Sequence, residues 1–160
     1  MKKKSANIFL GKKILVYGLG RTGISSYKFL KKKAAVYLFD DNPETVRKIN
    51  KKCISLKELK RIKFDKIIIS PGIDISNCKL SNFLKKNFLK IYTDLDIFYS
   101  FFKNDCFTIT GTNGKSTTCK LLHEVLLDQK FDTKLVGNIG NPILSSKNIK
   151  KKTIFVVEAS

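Results

Sequence analysis

Short runs of β-branched and aromatic residues recur along this chain, and glycine, proline, asparagine or aspartate bounds most of them. Residues 13–17 (Lys-Ile-Leu-Val-Tyr), 35–39, 66–70 (Lys-Ile-Ile-Ile-Ser) and 90–93 read as strands, as do 106–110, 133–136 and 153–157. Near-continuous apolar runs of this length suit strands covered on both faces. Between them lie helical stretches at 24–32, 43–52, 55–61, 76–86, 94–102 and 116–129. Asn42 is placed to cap the helix that opens at Pro43, because proline suits a first helical position. Strand–helix alternation of this kind predicts an α/β fold with a mainly parallel sheet.

The pattern resets around Lys103-Asn104-Asp105. This places a domain boundary in the segment 94–105, with residues 1–93 forming a Rossmann-like parallel sheet domain. Residues 94–160 then form the start of a P-loop ATPase-type α/β domain. The last strand run ends at polar Glu158, where a parallel strand would normally feed a helix. A second α/β unit of ~60 residues is also small for an independent core. The chain is therefore expected to be the N-terminal portion of something longer, and inactive as an enzyme by itself.

Charge changes this picture little. Lys and Arg total 32 against 13 Asp and Glu, a formal net charge of +19. The lysines are spread over the whole chain, often at helix ends and before strands, where solvated charge is usual. No nucleic-acid reading motif accompanies them, so no specific nucleic-acid partner is expected, although an anionic nucleotide-linked substrate would be favoured. No apolar run approaches the ~20 residues of a membrane span. Ile8-Phe9-Leu10 is too short to make the basic start a signal peptide. Membrane insertion is not expected, and a cytoplasmic protein is the default. Cys53, Cys78, Cys106 and Cys119 are widely spaced and His123 is the single histidine, which suggests neither a zinc site nor a disulfide framework. Cys106 and Cys119 are expected to be buried thiols, and His123 to lie on a helix surface.

Two glycine loops carry the candidate chemistry. Gly111-Thr112-Asn113-Gly114-Lys115-Ser116-Thr117 follows a strand and opens a helix. Such a loop turns backbone N–H groups toward an anion, and the helix terminus adds partial positive charge. Lys115 is placed to reach the outer phosphates of ATP, and the Ser116 hydroxyl to ligate Mg2+. The full phosphate-loop pattern has a glycine where Ile109 stands, so this is a shortened form. Gly18-Leu19-Gly20-Arg21-Thr22-Gly23 also lies between a strand and a helix, and Asp40 follows ~20 positions after Gly20. Alone, this fingerprint points to a nicotinamide or flavin enzyme. Beside a second, ATP-type loop, it points to a nucleotide-linked substrate joined to ATP chemistry.

These two loops, together with Ser70-Pro71-Gly72-Ile73, Gly137-Asn138-Ile139-Gly140 and Glu158-Ala159-Ser160, occur in an order and spacing that resembles the Mur ligases. The resemblance covers the family's first domain and the beginning of its central ATP-binding domain. The glycine start combined with Asn113 is most similar to the D-glutamate-adding branch, because the alanine-adding branch typically has histidine at that loop position. The resemblance implies an ATP-dependent amide ligase of peptidoglycan precursor synthesis that acts through an acyl phosphate. UDP-N-acetylmuramoyl-L-alanine and D-glutamate would be its substrates, ATP and Mg2+ its cofactors, and the full-length enzyme a monomer.

The resemblance also implies roles. Gly18, Gly20, Arg21, Thr22 and Gly23 would hold the diphosphate of the UDP-sugar. Asp40 and Asp41 would sit near uracil and ribose, and Ser70 and Gly72 would line the uridine pocket. Gly111, Thr112, Asn113, Gly114, Lys115, Ser116 and Thr117 would bind ATP. Asn138 would contact the muramoyl substrate near the reacting centre. Ser116 and Glu158 would hold magnesium, and Lys115, Asn138 and Glu158 form the implied catalytic set. Where the family often has Thr-Arg after the first aspartate, this chain has Asp41-Asn42. The alternatives are another Mur ligase, such as the alanine-adding one, and a nicotinamide-dependent Rossmann oxidoreductase.

Overall fold

The computed structural model describes residues 7–49 and 53–159. Its fold divides between Ser100 and Phe101 into two compact units.

The first unit is built on four parallel strands. They are β1 (Lys13–Tyr17), β2 (Ala35–Phe39), β3 (Lys66–Ile69) and the short β4 (Ile91–Tyr92). Their order across the sheet is β2-β1-β3-β4, and every pairing is parallel. Ile14, Leu15, Val16 and Tyr17 are fully buried, as expected for a central strand covered on both faces. Each such side chain contributes about 1.5–3 kcal/mol by burial. The connections are α1 (Arg21–Leu30), α2 (Pro43–Ile49), α3 (Leu56–Leu59), α4 (Ser81–Lys86) and α5 (Asp94–Phe101). From β1 the chain steps to β2 on one side, then returns to β3 on the other. The order therefore reverses between β1 and β3, and ligands of open α/β sheets bind at the carboxyl edge of such a switch point.

Local chemistry explains the helix and strand ends. Asn42 Oδ1 accepts from Glu44 N (2.9 Å), which starts α2 as expected. The end expected for that helix, residues 50–52, lies outside the described residues. Ser55 and Glu58 form a reciprocal capping box on α3. The helix expected over 76–86 begins only at Ser81, because Asp74 accepts from Ser76 N and Asn77 Nδ2, both at 2.8 Å, and holds the segment in a turn. The strand expected over 90–93 is reduced to two residues. A 3-10 turn occupies Phe88–Lys90, and Thr93 exchanges hydrogen bonds with Asp96 at the start of α5. Helix α5 lies in the first unit except for its last residue. Its Ile97 and Phe98 are fully buried, and Asn7 Nδ2 donates to the Ser100 carbonyl at 2.7 Å.

The second unit holds β5 (Cys106–Ile109), α6 (Lys115–Asp128), β6 (Thr133–Gly137) and β7 (Ile154–Glu158). Its parallel sheet has the order β5-β7-β6, so the last strand in sequence is central. Phe155, Val156, Val157, Val136, Ile143 and Cys119 are buried. Cys119 is thus the buried thiol expected, whereas Cys106 is only half-buried, on a strand whose Phe107 remains 48% exposed. Helix α6 buries Cys119, while Leu121, Val125 and Leu127 on the same helix are exposed.

Candidate functional site

Each unit carries one candidate site, at the carboxyl ends of its strands. In the first, the loop after β1 meets the loop after β3. Ser70 Oγ donates to the Gly18 carbonyl across 2.6 Å in a buried position, and Ser70 N donates to the Tyr17 carbonyl at 3.0 Å. Gly18 has φ +87° and no room for a side chain, since a Cβ there would lie 2.9 Å from both Ser70 Cβ and Ile73 Cγ1. Gly23 is required for a different reason. A Cβ on it would lie 1.8 Å from the Gly18 carbonyl oxygen, so only glycine lets α1 pack this close to its own loop. Gly20 forms the N-cap of α1 and Arg21 and Thr22 its first turn. Nothing lies within 4 Å of a Cβ built on Gly20, which leaves open space over the helix N-terminus for an anion.

Asp40 follows β2 and binds this loop directly. Its Oδ2 accepts from Leu19 N at 2.5 Å and its Oδ1 from Asn42 N at 2.8 Å. Asp41 faces the other way, with its Oδ2 accepting from the Tyr17 hydroxyl at 2.6 Å and from Lys79 N at 3.3 Å. Burial foremost, and this hydrogen bond second, push the Tyr17 phenol far above its ordinary pKa, so it stays a donor. Asp40, Asp41, Arg47, Ile54, Leu56 and Lys79 help line a cavity of about 360 Å³. Ser70 and Gly72, expected to line a uridine pocket, are not among its lining residues. Ser70 is engaged in holding Gly18, and Gly72 is exposed on the following turn. Sequence reasoning missed Tyr17, Arg47 and Lys79. Tyr17 reads simply as strand, and the two cations have no mark that separates them from the chain's many others.

In the second unit, β5 leads into the loop at Gly111 and Gly114 (φ +143° and +75°), and Gly114 is the N-cap of α6. Lys115 Nζ folds back to donate to the carbonyls of Gly111 and Thr112. Thr112, Asn113 and Thr117 are exposed around it. Glu158 ends the central strand and is 6% exposed. It pairs with Ile109 on one side and with Gly137 on the other. Ser116 Oγ donates to its Oε2 at 2.8 Å, and Asn138 N donates to its main-chain oxygen at 3.0 Å. Gly137 (φ +108°) permits this approach, because a Cβ there would lie 2.3 Å from the Glu158 carbonyl oxygen. The fold thus gathers Lys115, Ser116, Asn138 and Glu158 from three segments; Ser160 lies outside the described residues.

A hydroxyl and a buried carboxylate are hard oxygen donors, the kind magnesium takes. Among the described residues no group of three or more His, Cys, Asp or Glu could hold a metal. Two protein oxygens fit an ion that keeps most of its waters and binds phosphates. Behind this pair, burial first and the Glu158 charge second raise the Cys119 thiol pKa, so it stays neutral. No helix among the described residues is long and apolar enough to cross a membrane.

Comparison with known proteins agrees with this division. Residues 12–91 match the family model described as Mur ligase MurD-like, N-terminal domain. Residues 109–160 match the Mur ligase middle domain. The chain is 38% identical over 144 residues to UDP-N-acetylmuramoylalanine–D-glutamate ligase of Rickettsia felis, covering 86% of this chain and 32% of that protein. It is 35% identical over 164 residues to the Agrobacterium fabrum protein of the same name, covering 95% and 35%. Against the Caldicellulosiruptor bescii protein of that name it is 37% identical over 164 residues, covering 94% and 35%. The chain therefore spans about a third of the length of the curated relatives it matches. Two glycine loops on two parallel α/β units, in the order and extent of these domains, have one common explanation: the chain belongs to the Mur ligase family.

Proposed function

We propose that this chain supplies the UDP-substrate and ATP sites of an ATP-dependent ligase that adds D-glutamate to UDP-N-acetylmuramoyl-L-alanine in peptidoglycan precursor synthesis. The observation that carries this reading is the second unit's hydrogen bond between Ser116 and Glu158 beside Lys115, since an oxidoreductase built on the first glycine loop has no use for it. The names of the relatives support the choice of D-glutamate over alanine. The substrates, two nucleotides and an amino acid, are water-soluble, so the reading places the protein in the cytoplasm; a monomer is proposed for the full-length enzyme.

On this reading, Gly18, Gly20, Arg21, Thr22 and Gly23 hold the diphosphate, and Asp40 and Asp41 flank the nucleoside. Gly111, Thr112, Asn113, Gly114 and Thr117 wrap the ATP phosphates with backbone and hydroxyl donors. An oxygen of the muramoyl-alanine carboxylate bonds to the γ-phosphorus as the bond to the β–γ bridging oxygen breaks, giving an acyl phosphate and releasing ADP. The amine of D-glutamate then attacks the carbonyl carbon, phosphate leaves and the amide forms. Lys115 swings from the Gly111 carbonyl to the phosphates and offsets the charge that builds on the transferring group. Ser116 and Glu158 would hold Mg2+, which supplies further neutralisation of phosphate charge. Asn138, fixed by its backbone bond to Glu158, orients the muramoyl substrate. Positioning and electrostatics carry the reaction, so no nucleophilic Ser or Cys is needed.

Calorimetric titration of the chain with UDP-N-acetylmuramoyl-L-alanine, ATP with magnesium, and NAD tests the assignment. Independent binding of the first two and none of NAD is expected. Tight NAD binding without UDP-substrate binding would overturn it.

A further inference from the structure

The cavity at the end of β2 poses an electrostatic problem. It lies beside the first glycine loop, which is built to receive an anion, yet two adjacent carboxylates, Asp40 and Asp41, are among its lining residues. Asp40 has both oxygens on backbone donors. Asp41 Oδ1 is buried with no hydrogen-bond partner. Neither of the next residues, Asn42 and Pro43, brings a compensating charge. Like charges a few ångströms apart repel by kcal/mol-scale energies in such partly desolvated surroundings, so a nucleotide diphosphate needs a cation at this wall.

Lys79 meets that need. It comes from the loop after β3, across the switch point from Asp41. Its Nζ donates to the Asp41 main-chain carbonyl at 2.7 Å and its backbone N reaches Asp41 Oδ2 at 3.3 Å. The Tyr17 hydroxyl binds that same carboxylate oxygen from beneath. The loops after β2 and β3 are thereby clasped together, with the ammonium group held at the cavity wall by a carbonyl that leaves its charge unpaired. Arg47 lines the same cavity from α2, whereas Lys79 is the cation whose ammonium is fixed beside the two carboxylates, by the main-chain carbonyl of Asp41.

We propose that Lys79 is a ligand-binding residue of the first unit, the cation that offsets Asp40 and Asp41 and admits an anionic uridine nucleotide. The proposal rests on the UDP-substrate reading above. Lys79 is exposed, and its backbone N–H bond to Asp41 survives a side-chain replacement, so melting should change little. Calorimetric titration of the full chain with UDP and with uridine, at low and high salt, separates charge from contact. Lys79→Ala is expected to weaken UDP binding roughly threefold to tenfold at low salt, with little effect on uridine and a smaller effect on UDP at high salt. Lys79→Arg should restore UDP affinity. Lys120→Ala, an exposed lysine on α6, should have no effect. Unchanged UDP affinity in Lys79→Ala, or an equal loss for uridine and UDP, would overturn the role of Lys79 while leaving the UDP-substrate reading intact. Failure of the unaltered chain to bind UDP or UDP-N-acetylmuramoyl-L-alanine would overturn both.

Discussion

The Ser116 hydroxyl donates to Glu158 Oε2 across 2.8 Å, joining the first turn of α6 to the end of the central strand. In phosphate-loop enzymes a loop hydroxyl and a strand-end acid hold magnesium against nucleotide phosphates, and this is the role we propose for the pair. Removing either oxygen donor should therefore cost metal-dependent binding more than binding of the bare nucleotide. Ser116→Ala and Glu158→Gln are each expected to reduce the enhancement of ATP affinity by magnesium by about tenfold, measured by titration with and without the metal. Retention of the full enhancement in both variants would show that the pair is purely structural.

Lys115 donates to the carbonyls of Gly111 and Thr112. These are bonds it can exchange for phosphate oxygens at small cost, since the carbonyls are exposed to water. Lys115→Ala is expected to lower ATP affinity at least about tenfold, while UDP-substrate affinity stays within about twofold, because the two loops belong to different units. Competition titrations with both ligands check this. Equal loss of both would mean that Lys115 acts on folding.

Two glycines of one motif should respond differently to the same change. Gly23→Ala places a methyl 1.8 Å from the Gly18 carbonyl oxygen and should cost about 2–4 kcal/mol as α1 is pushed from its loop. A Cβ at Gly20 meets nothing within 4 Å, so Gly20→Ala should cost no more than about 1 kcal/mol, the scale of a poorer N-cap. It should nonetheless weaken UDP binding, since the added methyl occupies the space open to an anion. Urea denaturation and UDP titration of the two variants give both readouts.

Asp94, at the start of α5, is 8% exposed. Burial raises its carboxyl pKa, and the smaller contributions of its own and Leu95's backbone N–H groups do not reverse this. A raised pKa means that the folded state holds the proton more tightly than the unfolded chain. The resulting stability is fully present below the ordinary carboxylate pKa and is lost as pH rises through the folded value. Asp94→Asn should therefore stabilise the first unit at pH 7 relative to the parent, because the buried charge is removed. The gain should shrink as the pH falls from 7 to 4 and the parent takes up its proton. Denaturation at the two pH values tests the sign, and a variant less stable at pH 7 than at pH 4, relative to the parent, would contradict it.

Local sequence determined the elements and both glycine loops. Apolar runs such as residues 14–17 and 66–69 have few ways to avoid water other than as covered strands. The loop glycines report backbone that must turn sharply or approach closely, and Asn42 and Ser55 carry their caps in their own side chains. All of this chemistry acts over a few residues and is written in order along the chain. Tertiary structure alone decided the rest. That β7 lies between β5 and β6, bringing Glu158 to Ser116, depends on pairing across 42 positions, and no local preference sets it. That Ser70 meets Gly18, 52 positions away, depends on the pairing of β1 with β3. Lys79 is one lysine among many until the loop after β3 folds over the end of β2. The role we propose for it comes from the neighbours it meets there, and charge interactions of this kind are set by distance in space rather than by distance along the chain.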